Sequence, residues 1–391
     1  MLYDIAVIGA GPAGSTAAKS CAVRGLKTLC LDRRAFPRPK TCGGGITTAA
    51  LNTIGFPLPG QMVLSQIRNL QSFFQDKSVR ISHPRAFMVI ADRSVFDNFL
   101  MERAIEAGVE FRQRENVTGL TRENNHLVIR TQTGSYQARA IIGADGVHST
   151  TAKLAGIPGR HQKCALCLSV EVPANPGKVE KESIKIFYDL LPQGYGWIFP
   201  KGDRLSVGLG CFKSSYGNLR KGLQTLAART RLDLPDTVRG HYIPYGGQTR
   251  ECVADGIILA GDAAGFTDPF TGEGIRFAII SGMLAGETLW NCSRHGLPPN
   301  KKNLAGYVNK CQQAFLRDLR YSYMLSKTFF AFPSVMHRFL FDRSEIYSSL
   351  LNILEGRYSY SRLTREVMVE LPKYCLRWPK PHISKTGQIQ E

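Results

Sequence analysis

The first thirty-two residues constrain the fold more than any other stretch. Asp4-Ile-Ala-Val-Ile-Gly-Ala-Gly-Pro-Ala-Gly14 reads as a buried strand, a tight glycine turn and the start of a helix that continues over Ser15–Arg24 and stops at Gly25. Lys27-Thr-Leu-Cys-Leu-Asp32 is the next strand, so the segment is one βαβ unit with Asp32 at its carboxyl end. Gly9 makes the turn, Gly11 lets backbone approach a pyrophosphate, and Gly14 lets helix and strand touch. Pro12 and Ala13 open the helix, whose free N–H groups and dipole attract anions. A Gly-x-Gly-x-x-Gly alone is weak. This one follows a strand, opens a helix and has an acidic residue eighteen positions after Gly14, which makes it a dinucleotide site. Asp32 is expected to accept from the adenosine ribose hydroxyls; the plainer alternative is a carboxylate that serves only the turn.

Further glycine-rich segments follow. Thr41-Cys-Gly-Gly-Gly-Ile46 strings three glycines together at an entropic cost that suits backbone wrapped against a flat ligand rather than a core. A rigid basic approach precedes it, with Arg33, Arg34, Arg38 and Lys40. Ala140-Ile-Ile-Gly-Ala-Asp-Gly146 is a second buried strand with a glycine exit, following a hairpin of His126–Thr131 and Ser135–Ala140. Gly256-Ile-Ile-Leu-Ala260 is a third, leading into Gly261-Asp-Ala-Ala-Gly265. After it, Asp268-Pro-Phe-Thr-Gly-Glu-Gly-Ile275 opens a helix that runs to Trp290. Three such exits at one sheet edge form a long cleft for phosphates and a ring, where a nicotinamide cofactor alone would need only the first. A helix over Asp92–Ala107 carries Arg93 at its start, with Val95, Phe99, Met101 and Ile105 as a coarse apolar face.

Between about Gly159 and Arg250 the pattern changes to period two, at Ala165–Val172, Ser183–Tyr188, Gly196–Pro200 and Arg204–Leu209. This predicts a mainly antiparallel sheet inserted into the first domain. The expected division is 1–70, 88–158 and 251–297 for the nucleotide-binding domain, 71–87 and 159–250 for the inserted substrate domain, and 298–391 for a helical C-terminal region. In that last region Leu304, Val308, Cys311, Phe315 and Leu319 form an apolar stripe. Met324, Phe329, Phe330, Phe332, Phe339 and Leu340 continue it. The stripe is expected to pack against the inserted domain, to meet lipid, or both.

The chain has 50 Lys plus Arg against 31 Asp plus Glu, a net charge of +19 that favours anionic partners. No finger, helix-turn-helix or aromatic-basic RNA motif accompanies it, so nucleic acid is not the expected partner. The basic run from Lys373 to Lys385 adds to the surface charge. Of ten cysteines only Cys164 and Cys167 have metal-ligand spacing. Strand alternation puts them on opposite faces, so no metal is expected. No secretory signal and no run long enough to span a membrane appear, and a cytoplasmic setting is expected.

These residues together resemble the geranylgeranyl reductase family of flavoproteins, within the wider p-hydroxybenzoate hydroxylase-like fold. The resemblance rests on Gly9–Gly14, Asp32, Pro39-Lys-Thr-Cys-Gly-Gly-Gly45, Gly143-Ala-Asp-Gly146, Gly261–Gly265, Asp268–Gly274 and Tyr195-Gly-Trp-Ile-Phe-Pro-Lys201. It is firm over residues 1–290 and loose beyond. The cysteine-glycine loop and the Tyr-x-Trp-x-Phe-Pro segment are its specific parts. It implies an α/β fold: a Rossmann-like FAD-binding domain, an inserted mainly antiparallel substrate domain and a helical C-terminal region.

The resemblance also implies residue roles. Arg93 would approach the FAD phosphates, Asp145 would support the cofactor turn with Gly146 near pyrophosphate, Asp262 would hold the ribityl or pyrophosphate portion, and Arg33 and Gly261 would also contact the cofactor. Gly272, Glu273, Gly274 and Ile275 would flank the pyrimidine edge of the flavin, and Cys42, Gly43 and Gly44 its ring. Tyr195, Trp197 and Phe199 would line a substrate tunnel; as ordinary core aromatics they would instead be buried filler. The implied activity is reduction of C=C bonds in a geranylgeranyl-type chain by hydride from flavin N5, with Cys42, Tyr195 and Trp197 as catalytic candidates. NADPH, or a ferredoxin-like donor, would supply electrons. The implied substrate is a prenyl lipid, diphosphate or chlorophyll precursor, used by a monomer at an anionic membrane surface. The alternatives are an aromatic or quinone monooxygenase of the same fold and a non-catalytic flavin-bearing membrane-associated protein.

Overall fold

The computed structural model describes residues 1–158, 163–175, 179–212, 218–245 and 251–376. The strand Leu2–Ile8 lies inside an eight-stranded sheet, parallel to Thr28–Asp32 on one side and to Ser135–Gly143 on the other. Glu110–Gln113 and Ile257–Leu259 extend the parallel run at either end. Such strands are covered on both faces and so read as unbroken apolar runs; Ala6, Val7, Leu29, Leu31, Ile141 and Ile142 are all buried. The helix Pro12–Ala22 packs on this sheet and the helix Ile275–Arg294 packs on that helix, both starting at the sheet's carboxyl edge. Parallel topology therefore delivers every glycine-rich exit to one edge.

Two sequence expectations need correction here. Ser135–Gly143 is one nine-residue strand, not a hairpin arm followed by a separate buried strand. Its first residues pair antiparallel with His126–Thr131, and residues 137–143 run parallel to Leu2–Ile8. The helix Arg93–Glu106 also turns a different face inward. Val95 and Ile105 are exposed, while Phe96, Phe99, Leu100, Met101 and Ala104 are buried together with Arg93 and Asp97. Phe96, Phe99, Leu100 and Ala104 recur at helical spacing, so the true stripe is offset from the one expected, and the Arg93–Asp97 pair is buried beside it.

The second sheet has seven strands, drawn from Asn69–Ser82 and Lys163–Tyr245. All neighbours are antiparallel except Ser183–Phe187 with Asn69–Phe74. Gly194–Lys201 runs between Ser183–Phe187 and Arg204–Cys211. Alternation along it puts Tyr195, Trp197 and Phe199 on one half-buried face. Glycines on the neighbouring strand make room there: a Cβ on Gly208 would stand 2.4 Å from the Trp197 ring. On Lys163–Pro173, Cys167 is buried and Cys164 half-buried, as alternation requires.

The C-terminal helices divide their apolar residues between both sheets. Leu304, Cys311, Phe315 and Leu319 join the core of the first sheet, where Phe315 meets Phe266 and Phe277 with ring centroids 5.2 and 5.4 Å apart. The stripe thus packs on the nucleotide-binding domain, not on the inserted one. Phe329, Phe339 and Leu340 join a separate core with Ile184 and Ile186 of the second sheet. Met324 and Phe332 stay outside, 54% and 63% exposed. Among the described residues no helix is long and apolar enough to cross a membrane. The expected limits of the inserted segment at Gly159 and Arg250, and the basic tail beyond residue 376, lie outside the described residues.

Candidate active site

A cavity of about 500 Å³ lies between the two sheets. Its polar arm starts at Gly11, Pro12 and Ala13 and reaches Asp32 and Arg33. Gly9 has φ +97°, and a Cβ there would stand 2.4 Å from the carbonyl oxygen of Ala144, so this turn and the one at Asp145 touch through bare backbone. Gly14 faces away from the cavity: its absent Cβ would lie 1.7 Å from Gly9 O, which permits the helix to sit on the strand. Gly44 and Gly261 likewise serve close packing, against Ala91 O and Ala13 Cβ at 2.5 and 2.8 Å, rather than lining the cavity as expected for cofactor contact.

The carboxylates are held in place by local donors. Asp32 accepts from the backbone N–H groups of Ala10 and Arg34, each at 2.8 Å. Arg38 spans from Asp32 to Asp97, at 4.0 and 3.4 Å. Asp145 accepts from Ser149 Oγ and from the N–H and hydroxyl of Thr151, which pins the short helix after Gly146. Asp262 accepts from Thr267 Oγ1 at 3.4 Å; burial raises its carboxyl, and Lys40 and Arg93 pull it back. Arg93 is buried and forks onto Asp97 at 2.7 and 2.9 Å. Much of its hydrogen-bonding capacity is therefore committed before any phosphate arrives, and its guanidinium also meets Cys42.

The middle of the cavity is where the catalytic candidates meet. Gly43 faces the aromatic strand, where a Cβ would stand 3.0 Å from Phe199 and 3.6 Å from Trp197 Nε1, and Cys42 lines the cavity beside it. Tyr195 Oη donates to the carbonyl of Thr271 at 2.6 Å, and a Cβ on Gly272 would stand 3.0 Å from that oxygen. Burial raises the Tyr195 hydroxyl. Glu273, Gly274 and Ile275 continue the wall, and the Ile275–Arg294 helix begins there with no side-chain cap. Beyond Tyr195 the lining turns apolar, with Leu70, Ile184, Ile186, Leu350, Leu351 and Leu354.

Three features were not legible as site residues from the sequence. Lys40 Nζ lies 2.6 Å from His241 Nε2, joining the basic loop to the second sheet across the cavity. Burial, then Lys40 and Arg93, push His241 down to about 3, so it meets Lys40 as a neutral acceptor. Thr47 donates to the Glu273 carboxylate. The leucines of Ser344–Glu355 close the apolar arm. Lys40 stood out only as one of a basic cluster; His241, Thr47 and the leucines carry no local signal, because partners in another domain create their roles.

The donor set fits FAD. Two helix N-termini open into one cavity, at Gly11 and Gly274, and neither is satisfied by a capping side chain. Unsatisfied N–H groups at a helix start bind anionic groups. Gly11 offers the close approach a pyrophosphate needs, since a Cβ there would meet only the Arg38 guanidinium, at 3.5 Å. Asp32, at the end of the strand Thr28–Asp32, lines the same arm, where an adenosine ribose would fit its carboxylate.

Comparison with known proteins bears this out. A family model for an FAD binding domain matches residues 2–200. A digeranylgeranylglycerophospholipid reductase of Methanocella arvoryzae is 31% identical over 83% of this chain and 86% of its own. A geranylgeranyl bacteriochlorophyll reductase-like protein from Thermoplasma acidophilum superposes with TM-score 0.79 at 21% identity, over 96% of this chain and 98% of that one. A flavin-dependent brominase superposes with TM-score 0.73 at 19% identity, over 96% and 100%. At such identities the two structures show a shared fold and nothing finer. The chain belongs to the geranylgeranyl reductase-like family of FAD-binding oxidoreductases, in the p-hydroxybenzoate hydroxylase-like fold.

Proposed function

We propose that the chain is an FAD-dependent reductase of C=C bonds in a geranylgeranyl-type isoprenoid chain. One observation carries the reading: the polar arm at Gly11 and Asp32 opens, past Cys42 and the Tyr195–Trp197 wall, into an arm lined by leucines and isoleucines. An apolar arm of that kind suits a prenyl chain, which gains about 0.8 kcal/mol for each CH₂ removed from water. The reductase relative named above acts, by its name, on such a lipid. Bound and reduced, FAD would supply the hydride. The chain's own residues would do the rest. Backbone N–H groups at Ala13 and Ile275 would orient the cofactor, the leucines would exclude water, and Trp197 and Phe199 would hold the alkene against the Cys42–Gly43 loop.

NADPH, or a ferredoxin-like donor, is the proposed source of electrons, and a monomer the proposed working form. The proposed setting is cytoplasmic, at a membrane surface. Exposed Met324, Phe332, Met368 and Val369 would enter the interface, and the net charge of +19 would draw anionic headgroups.

The test is anaerobic turnover of the purified yellow protein with NADPH or dithionite and a panel of geranylgeranyl lipids and diphosphates. Product mass should rise by two for each bond reduced. Oxygen uptake coupled to a hydroxylated aromatic product would favour a monooxygenase instead, and bound FAD with no turnover would leave a non-catalytic flavoprotein.

A further inference from the structure

Saturating a C=C bond takes a proton as well as a hydride, and the titratable groups on the cavity wall are unequal sources. Tyr195 already gives its hydrogen to Thr271 O, and burial holds that hydrogen more tightly. Burial pushes the Cys167 thiol up to about 12. Lys40 is turned toward His241. Burial raises the Asp262 carboxyl too, but the cations Lys40 and Arg93 stand beside it and oppose the rise.

Glu273 differs from all of these. It lies in the turn between Asp268 and the Ile275–Arg294 helix, on the cavity wall. Thr47, two residues beyond Gly45, donates to its Oε1, so the carboxyl bridges the glycine loop and the turn. Among the described residues that is the one side-chain hydrogen bond it receives. The same turn carries Gly272, which abuts Tyr195 Oη. Burial pushes the Glu273 carboxyl up to about 7, against the Thr47 hydrogen bond and the charge of Arg276, and with Asp268 adding to the rise. The rise brings the neutral acid within reach near neutral pH, on the wall of the cavity. An acid whose affinity for its proton matches the working pH is the effective donor.

We propose that Glu273 is the catalytic acid that protonates the alkene. The inference rests on the reductase reading above. The O–H bond of the carboxyl breaks and its proton forms a C–H bond at one alkene carbon. The other carbon receives hydride, with its two electrons, from reduced FAD. Glu273 is left as a carboxylate and recovers a proton from water. Thr47 is its positioning residue.

The test uses the full-length, FAD-loaded protein and the Glu273→Gln variant. FAD should stay bound, and its reduction by dithionite should be unchanged. Oxidation of the reduced protein by a geranylgeranyl lipid should slow by about 10²- to 10⁴-fold. The wild-type rate should fall as pH rises through about 7, because only the protonated acid acts, and that limb should vanish in the variant. Infrared difference spectra without substrate give an independent readout: a protonated-carboxyl band present below about pH 7, lost above it and missing from the variant. Thr47→Val removes a hydrogen bond that favours the ionised form, so the limb and the band should both move to higher pH.

A Glu273→Gln protein that turns over at the wild-type rate with the limb in place overturns the proposal. So does a Glu273 already ionised well below neutral pH. If Glu273→Gln loses FAD, the Thr47→Val shift decides, and an unmoved limb overturns the assignment. Wild type that reduces no prenyl substrate overturns the reductase reading, and with it the acid role, even if the infrared band is found.

Discussion

Tyr360→Phe tests how far the C-terminal helices belong to the active site. Asp268 is 1% exposed and starts the turn that carries Gly272, Glu273 and Gly274. Its Oδ1 accepts from Phe270 N–H at 2.8 Å, from Thr271 N–H at 3.4 Å and from Ser322 Oγ at 2.5 Å. Its Oδ2 accepts from Tyr360 Oη at 2.5 Å, the one donor found for that oxygen among the described residues. Replacing Tyr360 by Phe removes an oxygen and nothing else. It leaves half of a buried carboxylate without a donor, at a cost of about 1.5–3 kcal/mol for a hydrogen bond to a charged group. Ser322→Ala removes a donor from the oxygen that keeps two backbone N–H groups, so about 1 kcal/mol is expected.

The ranking matters more than either figure. In urea unfolding, Tyr360→Phe should lower the midpoint more than Ser322→Ala. Because the turn also holds Thr271 O, the acceptor of Tyr195, the loosened variant should bind FAD more weakly, by about tenfold for each 1.4 kcal/mol that reaches the site. Fluorescence titration of the apoprotein with FAD measures this. If Tyr360→Phe proves no more costly than Ser322→Ala, with FAD affinity unchanged, the anchoring argument is wrong.

Other expectations follow from the same geometry. Gly11→Val should fold, because its Cβ meets only the Arg38 side chain at 3.5 Å, yet no longer bind FAD, because the side chain fills the space a pyrophosphate needs; Gly14→Val should fail to fold, with its Cβ 1.7 Å from Gly9 O. Circular dichroism and visible absorbance separate the two outcomes. Cys42→Ser should retain FAD but change the reduction rate or the number of bonds reduced, as read by product mass. Phe329→Ala should cost about 3–5 kcal/mol of stability, since Phe329 is 2% exposed. Phe332→Ala should leave stability unchanged and weaken sedimentation with anionic liposomes, most visibly at low salt. Equal liposome binding by wild type and Phe332→Ala would count against the membrane proposal.

Much of the nucleotide-binding half was legible because its rules are local. A turn at φ +97° favours glycine whatever surrounds it, and strands buried on both faces must be apolar throughout. Period two likewise exposed the strand of Tyr195, Trp197 and Phe199, since alternation depends only on the residues within it. The helix Arg93–Glu106 marks where local reasoning stops. Its inward face carries Phe96, Phe99, Leu100 and Ala104 with the buried Arg93–Asp97 pair, while Val95 and Ile105, which looked apolar and core-facing, point to solvent.

What the sequence determined by itself, then, is the fold class, the glycine-rich exits and the candidate cofactor contacts along them, because chain stereochemistry and short-range burial dictate those residue types in place. Only the tertiary structure decided which of the candidates meet and what completes them. Thr47 reaches Glu273 across 226 residues, Asp268 reaches Tyr360 across 92, and Lys40 reaches His241 across 201. The C-terminal helices supplied the leucines of the apolar arm and both side-chain donors to Asp268. A carboxyl's proton affinity and a leucine's neighbours come from whatever packing brings within a few ångströms, and no spacing along the chain encodes that.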